Sequence, residues 1–413
     1  MRKLQVSLLP NTPYDVLKIS NPILKGIVSL VTKAAETFGF WQHPRKGAAG
    51  DVAEMNLLDN LYWVYKCKNP VELPEPELET SEFMRSTDAQ LSPRTDDESA
   101  KTITLSFAGD ILRTHRAEVA QDQVYAQIED LLFHDDVVIA NYESPVTTQP
   151  LVDEVIGDAG PPVECASEDQ FDALTSHNGT VFDVLNLANN HIFDMGVEGL
   201  ETTLSVLKQR NILQVGVNET EAETNVVKTI ERNGIKLGFV SCAFGTNGQS
   251  LPDGQPYSVN LAKLTSKHEA PDIALLKRQI ANAKAANCDL VVAILHWGHE
   301  FELFPRRAQQ KAAEELADFG ADIIVCHHPH VAQPIQLYKS KSRSDRIVPI
   351  AYSLGSLLWG FAHDHIASSK ILQVEVQKSQ GKTAITNLKA TPVRWRAHES
   401  DGRITQKVER AVS

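Results

Sequence analysis

The sequence has no run of eighteen consecutive apolar residues, and that length alone excludes a transmembrane helix. Its opening, Met1 to Pro10, lacks both a long apolar core and a small-residue cleavage site, so no signal peptide is expected. Cysteine is scarce. Cys67, Cys165, Cys242, Cys288 and Cys326 are odd in number, widely spaced and set mostly in apolar runs, which argues against a disulfide framework and suits buried thiols in a reducing compartment. A cytoplasmic location is the expectation. Basic charge is short as well: 40 Lys and Arg stand against 53 Asp and Glu, a net charge of −13. A nucleic-acid binder needs a clustered positive field, so that class is set aside. No internal repeat recurs along the chain.

What the 413 residues do contain is enough chain for a large α/β core and an appendage. In the first part, Ile23, Ile27, Leu30, Val31, Ala34, Phe38 and Trp41 fall at near-helical spacing, and Leu58, Leu61, Tyr62 and Tyr65 mark a second helix. Residues 1–50 carry seven Lys and Arg against two Asp and Glu. A basic amphipathic stretch of this kind is compatible with peripheral membrane contact through residues 12–41, although packing against the main domain is the preferred expectation. Between residues 71 and 99 the composition turns to Pro and Glu, with nine acidic residues against two basic, which reads as a linker or strap. The expected organisation is therefore a helical extension (1–69), an acidic Pro/Glu-rich linker (70–100) and a main domain (101–413).

Past residue 100, short β-branched runs alternate with helical stretches, the pattern of an α/β sheet with crossover helices. Strands are predicted at 103–108, 137–140, 182–187, 236–242, 290–295, 323–325 and 348–352, with terminal strands at 371–376, 384–388 and 393–395. Gly320 sits where a helix C-terminal cap belongs, and residues 245–271 form the longest irregular insertion, a natural place for a substrate loop.

The densest chemistry is the turn Cys326-His327-His328-Pro329-His330, directly after the apolar run Asp322-Ile323-Ile324-Val325. Histidine titrates near neutrality and coordinates borderline metals through a neutral ring nitrogen, so a cluster at a strand end reads first as ligands and second as a His-rich surface loop. Ligands of open α/β sheets bind beyond the carboxyl ends of strands. There the sequence delivers Gly109-Asp110, then Asn141-Tyr142-Glu143, then Asn189-Asn190-His191, then His296-Trp297-Gly298-His299-Glu300, then His328-Pro329-His330. Singly, Asp110 could be a turn residue, Glu143 a surface carboxylate and His296 a satisfied core histidine. Jointly they form a mixed oxygen and imidazole set suited to Mn, Fe or Zn. Two such divalent ions sharing a bridging carboxylate would support hydrolytic chemistry.

These blocks, together with Phe107-Ala108, Ser144-Pro145, Ile192-Phe193-Asp194-Met195-Gly196 and Tyr352-Ser353-Leu354-Gly355, resemble the CapA family of capsule and poly-γ-glutamate biosynthesis proteins, which is similar to the calcineurin-like metallophosphoesterases. The resemblance spans roughly residues 101 to 360. It implies a four-layer αββα sandwich of the metallophosphatase-like kind, here with an N-terminal helical extension. By the same resemblance Asp110, Glu143, Asn190, His296, His328 and His330 match metal ligands, with Glu143 as the bridge. His191 matches the proton donor to a leaving group, and Asp194 is placed to orient its ring. Three positions depart from the pattern: Leu112 replaces a histidine, Cys326 a glycine and Ser356 an asparagine. The implied activity is metal-dependent hydrolysis of a phosphoester or of an amide in an anionic polymer, with other capsule-synthesis components as partners. The alternative is a non-catalytic component of polymer synthesis or export that retains a metal or ligand site.

Overall fold

A computed structural model describes residues 9–95, 97–114, 117–152, 156–157, 162–400 and 403–411; the signal-peptide reading of residues 1–8 lies outside them. Two sheets face each other across an apolar layer. The first contains β1 (Lys101–Ile111), β2 (Val137–Tyr142), β3 (Val184–Asn186) and β4 (Leu213–Val215), all parallel. The second contains β5 (Lys228–Arg232), β6 (Ile235–Ala243), β7 (Leu290–His296), β8 (Ile323–His327), β9 (Ile335–Lys339) and β10 (Ile347–Ala351), in the order β5-β6-β7-β8-β10-β9 with β6, β7, β8 and β10 parallel. The antiparallel strands β11 (Ser368–Ser379), β12 (Lys382–Ser400) and β13 (Arg403–Arg410) extend the first sheet beyond β1.

The strands are apolar on both faces, and alternation decides which layer each residue enters. From β1, Ile103, Leu105 and Phe107 point between the sheets, as do Leu290, Val292 and Ile294 of β7 and Ile323 and Val325 of β8. The alternate residues Val291, Ala293 and Leu295 of β7, and Ile324 and Cys326 of β8, pack instead under two helices, Ala274–Ala285 and Arg307–Phe319. Val138 and Ala140 of β2 likewise pack with Phe171 of the helix Glu168–Thr175 and with Leu200, Val206 and Leu207 of the helix Gly196–Gln209. The four layers are thus helix, sheet, sheet, helix. Gly320 caps its helix as expected, donating from its N–H to the Leu316 carbonyl. Gln380-Gly381 turns β11 into β12 with φ of 49° and 76°, the positive pair that a two-residue hairpin requires.

The N-terminal helices α1 (Pro22–Phe38) and α2 (Leu57–Lys68) rest on the main body. Asn21 caps α1 and Asn56 caps α2, each accepting from two backbone N–H groups of its helix's first turn. The face that α1 buries is not the predicted one. Val28, Thr32 and Ala35 are buried, whereas Ile23, Ile27, Leu30 and Phe38 lie 74%, 45%, 70% and 70% exposed. The helix carries two apolar stripes of equal period, and spacing alone cannot choose between them. Among the described residues no helix is long and apolar enough to cross a membrane.

Buried charge fastens α2 to the main body. Glu302, almost wholly buried, accepts from Arg306 Nε and Nη2 at 2.8 Å each and from the Tyr62 hydroxyl at 3.0 Å, with Lys66 Nζ at 3.4 Å. Burial raises the Glu302 carboxyl, but the Arg306 and Lys66 charges outweigh it and hold it well below the usual carboxylate range. Burial holds Lys66 below its own ordinary value despite Glu302, so Arg306 is the principal partner. Glu302→Gln would strand two buried cations and is expected to destabilise the fold by about 3–5 kcal/mol in a denaturant titration at neutral pH. A depressed carboxylate pKa stabilises above its unfolded value and loses that contribution as pH falls. The gap between wild type and variant is therefore expected to narrow below about pH 4.

The acidic stretch after α2 is a strap tied at several points. Val71 N–H donates to the Phe301 carbonyl at 2.7 Å, Met84 N–H to the Ile335 carbonyl at 2.7 Å, and Asp88–Gln90 pairs antiparallel with β12. Phe83 bridges to Gln336 on β9, covering an edge strand of the second sheet.

Candidate metal centre

The carboxyl ends of β1, β2, β3, β7 and β8 converge, so residues far apart in sequence meet where the parallel strands of both sheets end. Asp110 reaches this point because Gly109 lies against the chain at Gly355. A Cβ on Gly109 would stand 1.9 Å from the Gly355 carbonyl oxygen, and Asp110 N–H donates to that oxygen at 3.0 Å. Gly355 and the Ser356–Leu358 strand after it thus serve as a backbone rail beside β1.

Asp110 Oδ1 accepts from Asn141 Nδ2 at 2.9 Å and lies 2.8 Å from His327 Nδ1; its Oδ2 lies 3.3 Å from His330 Nδ1. The same Asn141 amide donates to Glu143 Oε1 at 2.5 Å and so ties the two carboxylates together. His296 Nδ1 stands 3.5 Å from Glu143 Oε1, and its Nε2 lies 2.6 Å from Asn190 Oδ1. His330 Nε2 stands 3.8 Å from Glu143 Oε2. Ligand atoms of Asp110, Glu143 and His296 fall within 4.8 Å of one another, as do those of Glu300, His328 and His330. His330 joins the two groups. Beside them, His191 Nδ1 lies 2.6 Å from Asp194 Oδ2, which also accepts from Glu164 N–H at 2.7 Å.

The backbone is strained where the imidazoles enter. His328 and His330 have φ of 98° and 57°, a region that costs non-glycine residues about 1–3 kcal/mol and persists where the surroundings impose it. Electrostatics suit a cation. Burial, reinforced by neighbouring imidazoles, lowers His328 well below the ordinary histidine value, and burial likewise lowers His296 despite Asp110, so both rings keep a lone pair at neutrality. Burial raises Asp110, yet His327 and His330 overcome it and hold Asp110 well below the carboxylate norm. Burial, and then the Asp110 charge, pushes Glu143 well above it. Glu143 Oε2 and His328 Nδ1 are buried atoms without a hydrogen-bond partner, a state that a coordinated ion would relieve. The donor set fits Mn, Fe or Zn.

All six sequence-proposed ligands are drawn together, with the His191–Asp194 pair adjoining them. Three further residues join, Asn141, His327 and Glu300; the strand-end blocks contain them, but none is among the ligands that the resemblance implies. Strand alternation could have found His327, since Cys326 faces the helices and its successor must face the site. The three departures also find physical roles. Leu112 is buried in an apolar cluster with Phe301 and Trp359, and the Trp359 ring lies 4.4 Å from that of His330. Cys326 is turned away from the centre, and burial raises its thiol. The Ser356 hydroxyl lies 3.1 Å from His330 Nδ1 and braces that ring.

The fold is thus four layers, with a carboxylate, amide and imidazole cluster at the carboxyl ends of the parallel strands of two mixed sheets. Residues 104–360 match the family described as "Bacterial capsule synthesis protein PGA_cap". The chain belongs to that family. It is 29% identical over 286 residues to the capsule biosynthesis protein CapA of Bacillus anthracis, a match covering 67% of this chain and 64% of that one, so the chain spans less than two thirds of that relative. It is 28% identical over 312 residues to the PGA biosynthesis protein CapA of Bacillus subtilis (strain 168), covering 73% and 76% respectively. Among solved structures, the calcineurin-like phosphoesterase YfkN of Bacillus subtilis superposes with a TM-score of 0.39 at 15% identity, over 71% of this chain and 90% of that one.

Proposed function

We propose that this protein acts in capsule or poly-γ-glutamate metabolism as a metal-dependent hydrolase of a phosphoester or a polymer amide. The observation that carries the reading is the pairing of a buried ligand cluster with the adjoining His191–Asp194 dyad. Asp110, Glu143, Asn190 and His296 would hold one divalent ion, and His328, His330 and Glu300 a second, with Glu143 between them. When bound, such ions supply Lewis-acid polarisation and a nucleophile of lowered pKa. His191 would deliver a proton to the leaving atom, and Asp194 would fix its ring. The exposed Ile23, Ile27, Leu30 and Phe38, flanked by exposed Lys25 and Lys33, support peripheral membrane contact through residues 12–41 as part of this reading.

One feature favours a second reading, a binding component without turnover: the apolar wall at Leu112 removes one ligand position. The test is to load the protein with Mn, Fe or Zn in turn and assay an activated phosphodiester and a γ-glutamyl polymer. Turnover of either substrate is expected; metal-replete protein that turns over neither while retaining polymer in a pull-down would establish the second reading.

A further inference from the structure

The N-terminal helices do more than rest on the main body; they roof a cavity of about 360 Å³ that opens onto the metal cluster. Its roof is apolar, with Leu24 and Val28 of α1 and Leu61 and Val64 of α2 among the lining residues. Its floor includes Phe244, His191 and His328, the last almost wholly buried and with Nδ1 lacking a hydrogen-bond partner. Trp63 on α2 donates from Nε1 to Glu300 Oε2, and Lys66 Nζ donates to the Glu300 carbonyl at 2.7 Å, so the roof is locked to the residue that completes the second ligand group. Polarity thus changes across one continuous space, from ligand atoms at one end to aliphatic side chains at the other.

We infer that the substrate of this centre is an amphiphilic phosphoester whose single alkyl arm lies under α1 and α2 while its phosphoryl group meets the cluster. This rests on the hydrolase reading above and names its substrate class. The cavity equals about a dozen waters at ~30 Å³ each, the space of an alkyl chain of roughly ten carbons. A polyanionic chain fits poorly, because among the described lining residues no Lys or Arg is present and the one carboxylate, Glu300, carries the same sign. Apart from Asn60 and Asn247, the walls away from the cluster are apolar and give such a chain no hydrogen-bond donor, whereas a methylene chain gains from each aliphatic side chain it touches. Specificity for the arm would therefore come from the N-terminal helices and specificity for the head from the strand ends.

The test is a titration of n-alkylphosphonates, from ethyl to dodecyl and below micelle formation, by calorimetry into Mn-loaded and into chelator-treated protein. Affinity is expected to rise roughly fourfold per methylene, with the same slope in both preparations, and to level off once the cavity is full. Leu61→Trp and Leu24→Trp, checked for folding by their melting curves, are expected to bring that plateau to shorter chains. Affinity flat from ethyl to decyl overturns the inference, and so does a plateau unmoved in both folded variants; if neither variant folds, the wild-type slope decides. Binding is read without turnover, which separates the two readings. Protein that hydrolyses nothing yet keeps the slope contradicts the hydrolase alone, and protein that cleaves short phosphodiesters without a slope contradicts the alkyl site alone.

Discussion

His191→Ala is expected to lower hydrolysis of an activated phosphodiester by roughly two orders of magnitude or more while leaving the metal content of the protein nearly intact. The expectation follows from position. His191 adjoins Asn190, whose Oδ1 faces His296 in the cluster, but its own Nδ1 is engaged by Asp194. With Nδ1 held, proton exchange with a leaving oxygen falls to Nε2. Asp194 is anchored in turn by the Glu164 N–H, so the ring has little freedom to leave that orientation. Asp194→Asn keeps the shape and removes the charge, and a smaller loss of about ten- to a hundredfold is expected. Metal lost together with activity would make His191 a ligand instead.

Much of the centre was legible because the chemistry sits at strand ends, where a period of two gives way to polar residues. Asp110, Glu143, His296 and the His328–His330 pair each follow an apolar run that the structure forms as a parallel strand. Legibility fails where a contact joins remote segments. The link from Trp63 to Glu300 spans 237 residues, and nothing local to either residue announces it. It also fails where two patterns compete. α1 offers two apolar stripes, and only the shape of the surface beneath decides that Val28 and Ala35 go in and Ile23 and Leu30 stay out. At β12 the sequence reads as two short strands broken near Pro392, yet the chain continues from Lys382 to Ser400. Proline lacks a donor but keeps its acceptor, and the Pro392 carbonyl accepts from Ala411 N–H at 3.0 Å.

The second large effect is expected from Glu143→Gln. Glu143 lies between the two ligand groups, with Oε1 near Asn141 and His296 and Oε2 facing His330 without a hydrogen-bond partner. A neutral amide there removes the charge that makes a buried cation affordable and leaves a polar side chain of the same shape, so the fold should persist while the site empties. Metal affinity is expected to fall by at least about tenfold and turnover to become undetectable, because the positioned nucleophile is lost with the ion. Elemental analysis of wild type and Glu143→Gln, purified side by side without chelators and reconstituted alike, puts the metal centre itself to the test. The wild type is expected to hold about one to two equivalents of Mn, Fe or Zn per chain and the variant clearly less. A wild type below about a tenth of an equivalent, or equal metal in both proteins, would contradict it.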